Sequence, residues 1–249
     1  NGGDAYVVAR LALEAGWDVR LYPSDPRHAP QGDAAIAKAR YLAAGGPILD
    51  FIPEDFEAVE ILVDGLFGTG LDRAIEGQDA LIIEAANRYR ERGLGHAQNR
   101  RTLIALDVPS GLHADRGCIL GTAIRADLTI TFVQPKPGLF TGMGPSCAGK
   151  IHVSHIGVDP EVLRGQKPFA ELIGWIQCAP RPRPRESHKG TFGHVLIVGG
   201  DQGYSGAARL AGEAALRCGS GLVSIGTHPD HAATLNQGRP ELMVHGIRN

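Results

Sequence analysis

The chain has 249 residues, of which 43% are hydrophobic and 21% are charged, and its formal net charge is −2. That length suits one large domain or two ordinary ones, and the composition is that of a globular protein. The nearly neutral charge provides no polybasic surface for nucleic acid and no cationic face for a membrane, so we expect neither partner. No apolar run approaches the roughly 20 residues of a membrane-spanning helix.

The four cysteines are widely spaced, and none forms a C-x-x-C pair. This spacing argues against a disulfide or metal framework and favours the reducing cytoplasm as the compartment. The ten histidines form no H-E-x-x-H motif. We therefore expect ordinary surface or core roles for them rather than zinc binding.

The first predicted helix runs from Asp4 to Ala15, because apolar residues recur there at helical spacing. Asp4 suits the N-cap, and Gly16 suits the position just beyond the C-terminus. The apolar residues of "WDVRLY" then predict a short strand.

Four further apolar runs end in polar or glycine residues. "EILVD" ends at Asp64 and "TLIALD" at Asp107, "DLTITFV" is followed by residues 134–136, and "GKIHVSHI" is the fourth. A helical segment over 79–92 lies between the first two. Strands alternating with helices predict an α/β fold with a mostly parallel, doubly wound sheet.

In such sheets ligands bind beyond the carboxyl ends of the strands. Asp64 and Asp107 each follow a strand run directly, so we expect two carboxylates and several glycines to converge at one edge. The alternative is that each aspartate only begins a turn or caps a helix.

A second α/β unit is predicted to begin near residue 188. The alternating prolines and arginines of 180–185 indicate an extended linker or domain entry. The stretch "HVLIVGGDQGYSGAARLAGEAALRCGSGLVSIGT" then predicts strand, glycine loop, helix and strand, with Ser205 as the N-cap. The buried face of this helix is predicted to consist of Ala207, Leu210, Ala211, Ala214, Ala215 and Cys218.

Two nucleotide-binding motifs are set aside. "GPSCAGKI" at 144–151 nearly fits a P-loop, but Ile151 stands where a hydroxyl belongs, and the motif precedes a strand instead of following one. We expect a glycine-rich surface turn there. No G-x-G-x-x-G follows a strand, so a plain Rossmann oxidoreductase ranks last.

The glycine loops "NGGD" at 1–4 and "GGDQGYSGA" at 199–207 each lead into a helix. Free backbone N–H groups and the helix dipole make such positions natural anion sites, so both could hold the phosphates of a nucleotide-like ligand. A glycine turn, however, needs no ligand.

Long motifs in both halves resemble a known family. "NGGDAYVVARL", "VDGLFGTGLDR", "LDVPSGLHAD" and "KPGLFTGMG" are similar to the NAD(P)HX epimerase domain, also called the YjeF N-terminal domain, which has a Rossmann-like fold. "SHKGTFGHVLIVGGDQGYSGAARLAGEAALRCGSGLVSIGT" and "RPELMVHG" resemble the start of the ribokinase-like NAD(P)HX dehydratase domain. The resemblance implies an epimerase domain over 1–165, a linker over 166–187 and a dehydratase domain from 188 to 249.

This resemblance implies a bifunctional enzyme, an isomerase and a lyase, that repairs hydrated nicotinamide cofactors. Asn1, Asp64 and Ser110 match potassium ligands of the family. We choose Asp107 as the acid–base residue, because a carboxylate at a strand end is well placed to transfer protons. Lys136 is a weaker catalytic candidate and could equally be a solvated turn residue. The positions that match NAD(P)HX contacts are Asn1, Gly2, Gly3, Asp4, Gly68, Thr69, Gly70, Leu71, Asp72, Arg73, Ala74 and Asp107.

In the dehydratase family, ADP or ATP phosphorylates the C6 hydroxyl of the substrate and phosphate is then eliminated, with magnesium as the expected companion ion. Ala207 matches a substrate contact there.

The resemblance also implies that this sequence lacks three parts of the family. These are a strand before Asn1, a downstream catalytic aspartate and a downstream nucleotide loop. We therefore expect no dehydratase activity from these 249 residues alone. A homo-oligomer and the preference between NADHX and NADPHX stay open.

One departure and one alternative accompany the resemblance. Ala5 replaces the glycine usual after the aspartate of the first loop, which is tolerable if this position is helical. The alternative function is a non-catalytic binding or scaffold module. Because Asn1, Asp64, Asp107 and Ser110 are all retained, the sequence favours the enzyme.

Overall fold

The computed structural model describes residues 2–24, 29–52, 56, 59–93, 101–180 and 182–248. Contacts within the chain divide it into two units, Asn1–Ala170 and Glu171–Asn249. The boundary lies inside the segment 166–187. Each unit has its own parallel sheet and its own hydrophobic core within the described residues.

Two helices open the first unit, α1 (Gly3–Glu14) and α2 (Asp33–Ala43). They pack on each other through a small core in which the rings of Tyr6 and Tyr41 lie 6.1 Å apart. The Tyr41 hydroxyl donates a hydrogen bond to the carbonyl oxygen of Pro47 at 2.8 Å, so this buried ring keeps a partner for its polar atom.

The strand predicted in "WDVRLY" is wrong. Only Leu21 pairs there, in an isolated parallel bridge with Ile48. Pro23 and Pro47 flank this contact, and because proline has no backbone N–H, the ladder cannot extend through those two positions.

The sheet of the first unit has four strands within the described residues, β1 (Ile61–Asp64), β2 (Thr102–Leu106), β3 (Leu128–Phe132) and β4 (Lys150–Ser154). They pair in the order β1-β2-β3-β4, and every neighbouring pair is parallel. A helix, α3 (Gly77–Gly93), connects the first two strands. All four predicted strands are present, and the parallel α/β architecture is confirmed.

The main core of this unit lies between α3 and the sheet. Ile83 of the helix and Leu103 of β2 are both fully buried, and burial of each such side chain stabilises the fold by about 1.5–3 kcal/mol. The Tyr89 ring is also buried, and its hydroxyl donates to the carbonyl oxygen of Glu60 at 2.6 Å. These contacts hold α3 against the sheet.

The P-loop-like segment forms a short helix, α4 (Gly144–Ala148), directly before β4. The predicted surface turn is wrong, because Gly144 and Cys147 are buried. A Cβ at Gly144 would lie 1.9 Å from the carbonyl oxygen of Gly138, so glycine permits close packing on the preceding turn. This packing accounts for the glycine without a ligand.

The second unit contains a parallel sheet of three strands within the described residues, β5 (His194–Val198), β6 (Leu222–Thr227) and β7 (Leu242–Gly246), in that order. The predicted succession of strand, loop, helix and strand is confirmed. No helix in the described part of the chain is both long and apolar enough to cross a membrane. The helices of this unit are α5 (Trp175–Cys178), α6 (Gly206–Arg217) and α7 (Pro229–Ala232). Short 3-10 helices cover Pro137–Leu139, Pro160–Leu163 and Lys189–Phe192.

The buried face of α6 differs from the predicted one. Leu210 is 70% exposed, whereas Ala208 and Gly212 are buried against β6 and β7. A Cβ at Gly212 would lie 2.8 Å from Cδ1 of Ile225 and 3.0 Å from Cδ2 of Leu242. The missing side chain of Gly212 therefore decides which face packs. In a helix rich in alanine, spacing alone does not distinguish the two faces.

Candidate active site at the carboxyl ends of three strands

The carboxyl ends of β1, β2 and β3 lie side by side at one edge of the sheet. Asp64 ends β1 and pairs in register with Ala105, while Leu106 of β2 pairs with Ile130 of β3. Asp107 follows β2 and donates its backbone N–H to the carbonyl oxygen of Ile130 at 2.8 Å. Because parallel strands end at a common edge, polar groups from distant segments meet there.

At the end of β1, Asp64 and Ser110 bind each other through two hydrogen bonds. The Ser110 hydroxyl donates to Oδ1 of Asp64 at 2.6 Å, and the Ser110 N–H donates to Oδ2 at 2.8 Å. The N–H of Phe67 donates to the Ser110 hydroxyl oxygen at 2.9 Å. Asp64 is 5% exposed and Ser110 1% exposed, so this pair joins the turn after β1 to the turn after β2 in a nearly dry environment.

Burial raises the pKa of Asp64 from 3.8 to about 6, because a desolvated carboxylate is costly to ionise. The hydrogen bonds from Ser110 and Leu66 oppose this rise. No basic side chain among the described residues forms an ion pair with this carboxylate. The site therefore holds a buried acidic group whose ionised form a cation would stabilise.

Asp107 lies in a strained conformation at the end of β2. Its φ is 65°, in the left-handed region that residues other than glycine adopt rarely and often at functional sites. Its Oδ1 accepts hydrogen bonds from the N–H of Phe132 at 3.0 Å and from the hydroxyl of Thr131 at 3.2 Å. The left-handed turn thus directs the carboxylate toward the end of β3.

Lys136 completes this group. Its ammonium donates to Oδ1 of Asp107, to the carbonyl oxygen of Phe132 at 2.8 Å and to the hydroxyl of Thr131 at 3.2 Å. The side chains of Lys136 and Asp107 are only 19% and 18% exposed. Lys136 is therefore not a solvated turn residue, and a carboxylate and an ammonium face the same partly open site.

The N-terminus of α1 lies beside this group. Its N-cap is Gly2 rather than the predicted Asp4, which lies in the first turn, where the helix dipole favours a carboxylate. Desolvation, and then the negative charge of Asp107, raise the pKa of Asp4. Ala5 is helical, and a Cβ at Gly65 would lie 2.7 Å from its Cβ, so α1 rests on the residue after β1.

The loop after β1 contains the other proposed contacts. Gly68 is buried, whereas Thr69, Gly70 and residues 72–74 are exposed. The Leu71 side chain packs into the core and is 9% exposed, so only its backbone is left to contact a ligand. The Arg73 guanidinium lies 5.8 Å from the centre of the Phe67 ring.

The sequence also predicts Asn1 and Ala207 as site residues. Asn1 lies outside the described residues. Ala207 belongs to the second unit, where it is the second residue of α6 and is exposed. Ser205 occupies the predicted N-cap position of that helix, but its side chain makes no capping hydrogen bond.

Sequence reasoning missed Thr131, which contacts both Asp107 and Lys136. A signal was available, because Thr129 and Thr131 alternate on one face of the predicted third strand and a buried hydroxyl needs a polar partner. The identity of that partner depends on how the chain turns after β2 and β3.

Comparison with known proteins gives matches to both units. The family model for the YjeF-related protein N-terminus matches residues 1–138, and the model for NAD(P)H-hydrate dehydratase matches residues 195–249. The bifunctional NAD(P)H-hydrate repair enzyme Nnr of Coxiella burnetii is 40% identical over 99% of this chain and 49% of the relative. The enzyme of the same name from Escherichia coli K12 is 40% identical over 99% of this chain and 46% of the relative.

Among solved structures, the crystal structure of yeast ynu0 superposes with a TM-score of 0.51 over 68% of this chain and 69% of that chain. At 18% identity, this likeness concerns the fold alone. The two family matches fit the predicted Rossmann-like fold followed by a ribokinase-like one. This chain spans about half the length of the curated relatives it matches. The first family model covers more than half of the 249 residues of this chain. The chain therefore belongs to the family described as the YjeF-related protein N-terminus.

Proposed function

We propose that the first unit is an NAD(P)HX epimerase, which interconverts the (R) and (S) forms of hydrated NAD(P)H. The contact between the Lys136 ammonium and the Asp107 carboxylate, at the ligand-binding edge of the sheet, is the observation that carries this proposal. The names of relatives that match nearly the whole chain support it. The alternative of a binding or scaffold module accounts for neither the partly buried charge pair nor the strained Asp107.

The reaction that we propose inverts the carbon that bears the hydroxyl group, C6 of the hydrated ring. Two routes achieve this. In the first, a proton is delivered to the hydroxyl oxygen and the C–O bond breaks, with its electron pair on oxygen, so that water leaves. The lone pair of the ring nitrogen stabilises the resulting cation. Water then adds to the other face and loses a proton. If the ring opens instead, the hydroxyl proton is removed, the C6–N bond breaks and the nitrogen gains a proton before the ring closes again. Either route needs one group that accepts a proton and one that donates it.

Asp107 and Lys136 are suited to these two roles. The Asp107 carboxylate accepts a proton, and the Lys136 ammonium can return one without a diffusing buffer molecule. Both side chains are less than a fifth exposed, so bulk water reaches them only in part. We propose Asp107 as the principal acid–base residue and Lys136 as its proton-donating partner.

We propose that the dinucleotide binds along the N-terminus of α1 and the loop over 68–74. The backbone N–H groups of a helix N-terminus and a glycine-containing turn favour phosphate oxygens. Gly70 has no neighbouring atoms within 4 Å of the place where a Cβ would stand, so a ligand could approach its backbone closely. The exposed Arg73 can add positive charge at this surface.

We propose that Asp64 and Ser110, together with Asn1, hold a potassium ion. The two described residues fit a hard cation in their chemistry, because both offer oxygen donors and the Asp64 carboxylate is buried, with no basic partner among the described residues. When bound, the ion would neutralise this carboxylate and order the two turns that it joins.

We propose that the second unit contributes to the dehydratase activity of a longer bifunctional enzyme, with Ala207 near the substrate. ADP or ATP would be the phosphoryl donor, with magnesium as its companion ion. The match of residues 195–249 to the dehydratase family supports this.

We propose domain limits of 1–165 and 188–249, joined by 166–187. We propose the reducing cytoplasm as the compartment, because the four cysteines are widely spaced and none forms a C-x-x-C pair.

The proposal is tested by following purified (R)-NADPHX with the 249-residue chain and separating the two epimers by chromatography. A rate above that of a sample without enzyme supports epimerase activity. The matched control is Asp18→Asn, which removes the charge of an aspartate whose side chain is 87% exposed. We expect this control to keep the full rate. If the unmodified chain binds NADPHX without accelerating epimerisation, the epimerase activity proposed for this chain is contradicted.

A further inference from the structure

We propose that Thr131 is a positioning residue, which holds Asp107 and Lys136 in the arrangement that exchanges protons with the substrate. This inference rests on the proposed epimerase function. Thr131 is fully buried on β3, and its hydroxyl lies 3.2 Å from both Oδ1 of Asp107 and Nζ of Lys136.

The chemistry of a hydroxyl suits this role. A threonine hydroxyl has one proton to donate and two lone pairs that accept. It can therefore donate to the Asp107 carboxylate while it accepts from the Lys136 ammonium, which cannot accept hydrogen bonds at all. Each contact favours the orientation of the other, because both involve the same oxygen atom.

The distribution of hydrogen bonds on Asp107 indicates which oxygen reacts. Oδ1 accepts from Thr131, Phe132 and Lys136. Oδ2 accepts none of the hydrogen bonds found among the described residues. Because Oδ1 is held by three donors, we infer that Oδ2 is the oxygen that exchanges a proton with the substrate. Thr131 thus acts on catalysis through Asp107, without touching the reacting atoms itself.

Thr129 shows what a purely structural threonine does on the same strand. It lies two residues earlier, on the same face, and is equally buried. Its hydroxyl donates to the carbonyl oxygen of Ala148 at 2.7 Å, a neutral backbone partner. Both residues satisfy a buried hydroxyl, but only Thr131 does so with the two charged groups of the site.

The test compares Thr131→Val with Thr129→Val in the 249-residue chain. Valine nearly keeps the shape of threonine and replaces its hydroxyl with a methyl group. Hydrogen bonds to charged groups are worth roughly tenfold or more in an equilibrium, so we expect Thr131→Val to lower kcat for epimerisation about tenfold. KM should change less than twofold, and the pH profile of kcat should shift. Thr129→Val should keep both the kcat and the pH profile.

A second pair separates the hydroxyl from the fold. Thr131→Ser and Thr131→Ala both lose the methyl group, but only serine keeps the hydroxyl. We expect serine to retain most of the rate and alanine to lose it. If Thr131→Val and Thr131→Ala keep the kcat and pH profile of the unmodified chain, Thr131 does not position the pair. Equal loss in serine and alanine would also overturn the role of the hydroxyl.

A readout without turnover keeps this test separate from that of the proposed function. Acetic anhydride labels neutral amines, and mass spectrometry measures labelling at Lys136. Thr131→Val removes one acceptor of the Lys136 ammonium protons, so we expect severalfold faster labelling than in Thr129→Val. An unchanged labelling rate contradicts the positioning role, even if the chain epimerises. Faster labelling in a chain that does not epimerise would support the contact and reject the function.

Discussion

The hydroxyl of Ser110 lies 2.6 Å from the carboxylate of Asp64, although 46 positions separate the two residues in the chain. The contact joins the turn after β1 to the turn after β2 and buries both groups almost completely. The proposed cation site and the proposed catalytic group therefore share one edge of the sheet, and a change in either turn can affect both.

The first prediction concerns this contact. Ser110→Ala removes one hydrogen bond to a buried carboxylate, so we expect a loss of about 1–3 kcal/mol in the free energy of unfolding, measured in urea.

Asp64→Ala should also abolish any dependence of epimerisation on potassium. The measurement compares rates in potassium and choline buffers, with Asp18→Asn as the control. An Asp64→Ala variant that still responds to potassium would show that the ion binds elsewhere.

The second prediction separates catalysis from binding at Asp107. Asp107→Asn keeps the size of the side chain and removes its proton acceptor. Removal of one general acid–base group typically costs about 10²–10⁴-fold in rate, and we expect a loss of that order in kcat. Binding of NADPHX, followed by calorimetry, should persist. An unchanged rate would transfer the main acid–base role to Lys136.

The third prediction concerns the turn that carries Ser110. Gly111 has a φ of 91°, and a Cβ there would lie 1.9 Å from the carbonyl oxygen of Thr122. Gly111→Ala should therefore destabilise the first unit by several kcal/mol, through backbone strain and a direct clash. Gly70→Ala is the matched stability control, because nothing lies within 4 Å of its Cβ position. Equal urea midpoints for the two variants would contradict this account.

The fourth prediction concerns pH. Burial raises the pKa of Tyr89 above its ordinary value of 10.0. Because the folded state holds this proton more tightly than the unfolded state, the stabilising contribution is fully present below about pH 10 and is lost as pH rises through the folded-state pKa. Stability of the unmodified chain should therefore fall more steeply above pH 10 than stability of Tyr89→Phe. Urea unfolding between pH 9 and 11 measures this, and Tyr204→Phe, at an exposed position, should match the unmodified chain.

Local order was predictable wherever the chain itself carries the contrast between apolar and polar residues. The runs that end at Asp64 and Asp107 became β1 and β2, and the unit after residue 188 formed the predicted strand, helix and strand. Hydrophobic periodicity reports burial along a single element, so it indicates where a strand stops. The motifs that resemble the family lie in these same segments, and the family match agrees with them.

Which groups meet depended on partners that the local sequence does not encode. In the sequence, Thr131 and Lys136 are ordinary residues of a strand and a turn. They gain their contacts with the Asp107 carboxylate only because the left-handed turn at Asp107 directs it toward them. The packed face of α6 was mispredicted because Gly212 gains its meaning only from Ile225 on the sheet. The pattern of apolar and polar side chains determines the helices and strands. Hydrogen bonds and close contacts between distant segments determine the site. Those contacts form only in the folded chain, so the sequence alone does not indicate them.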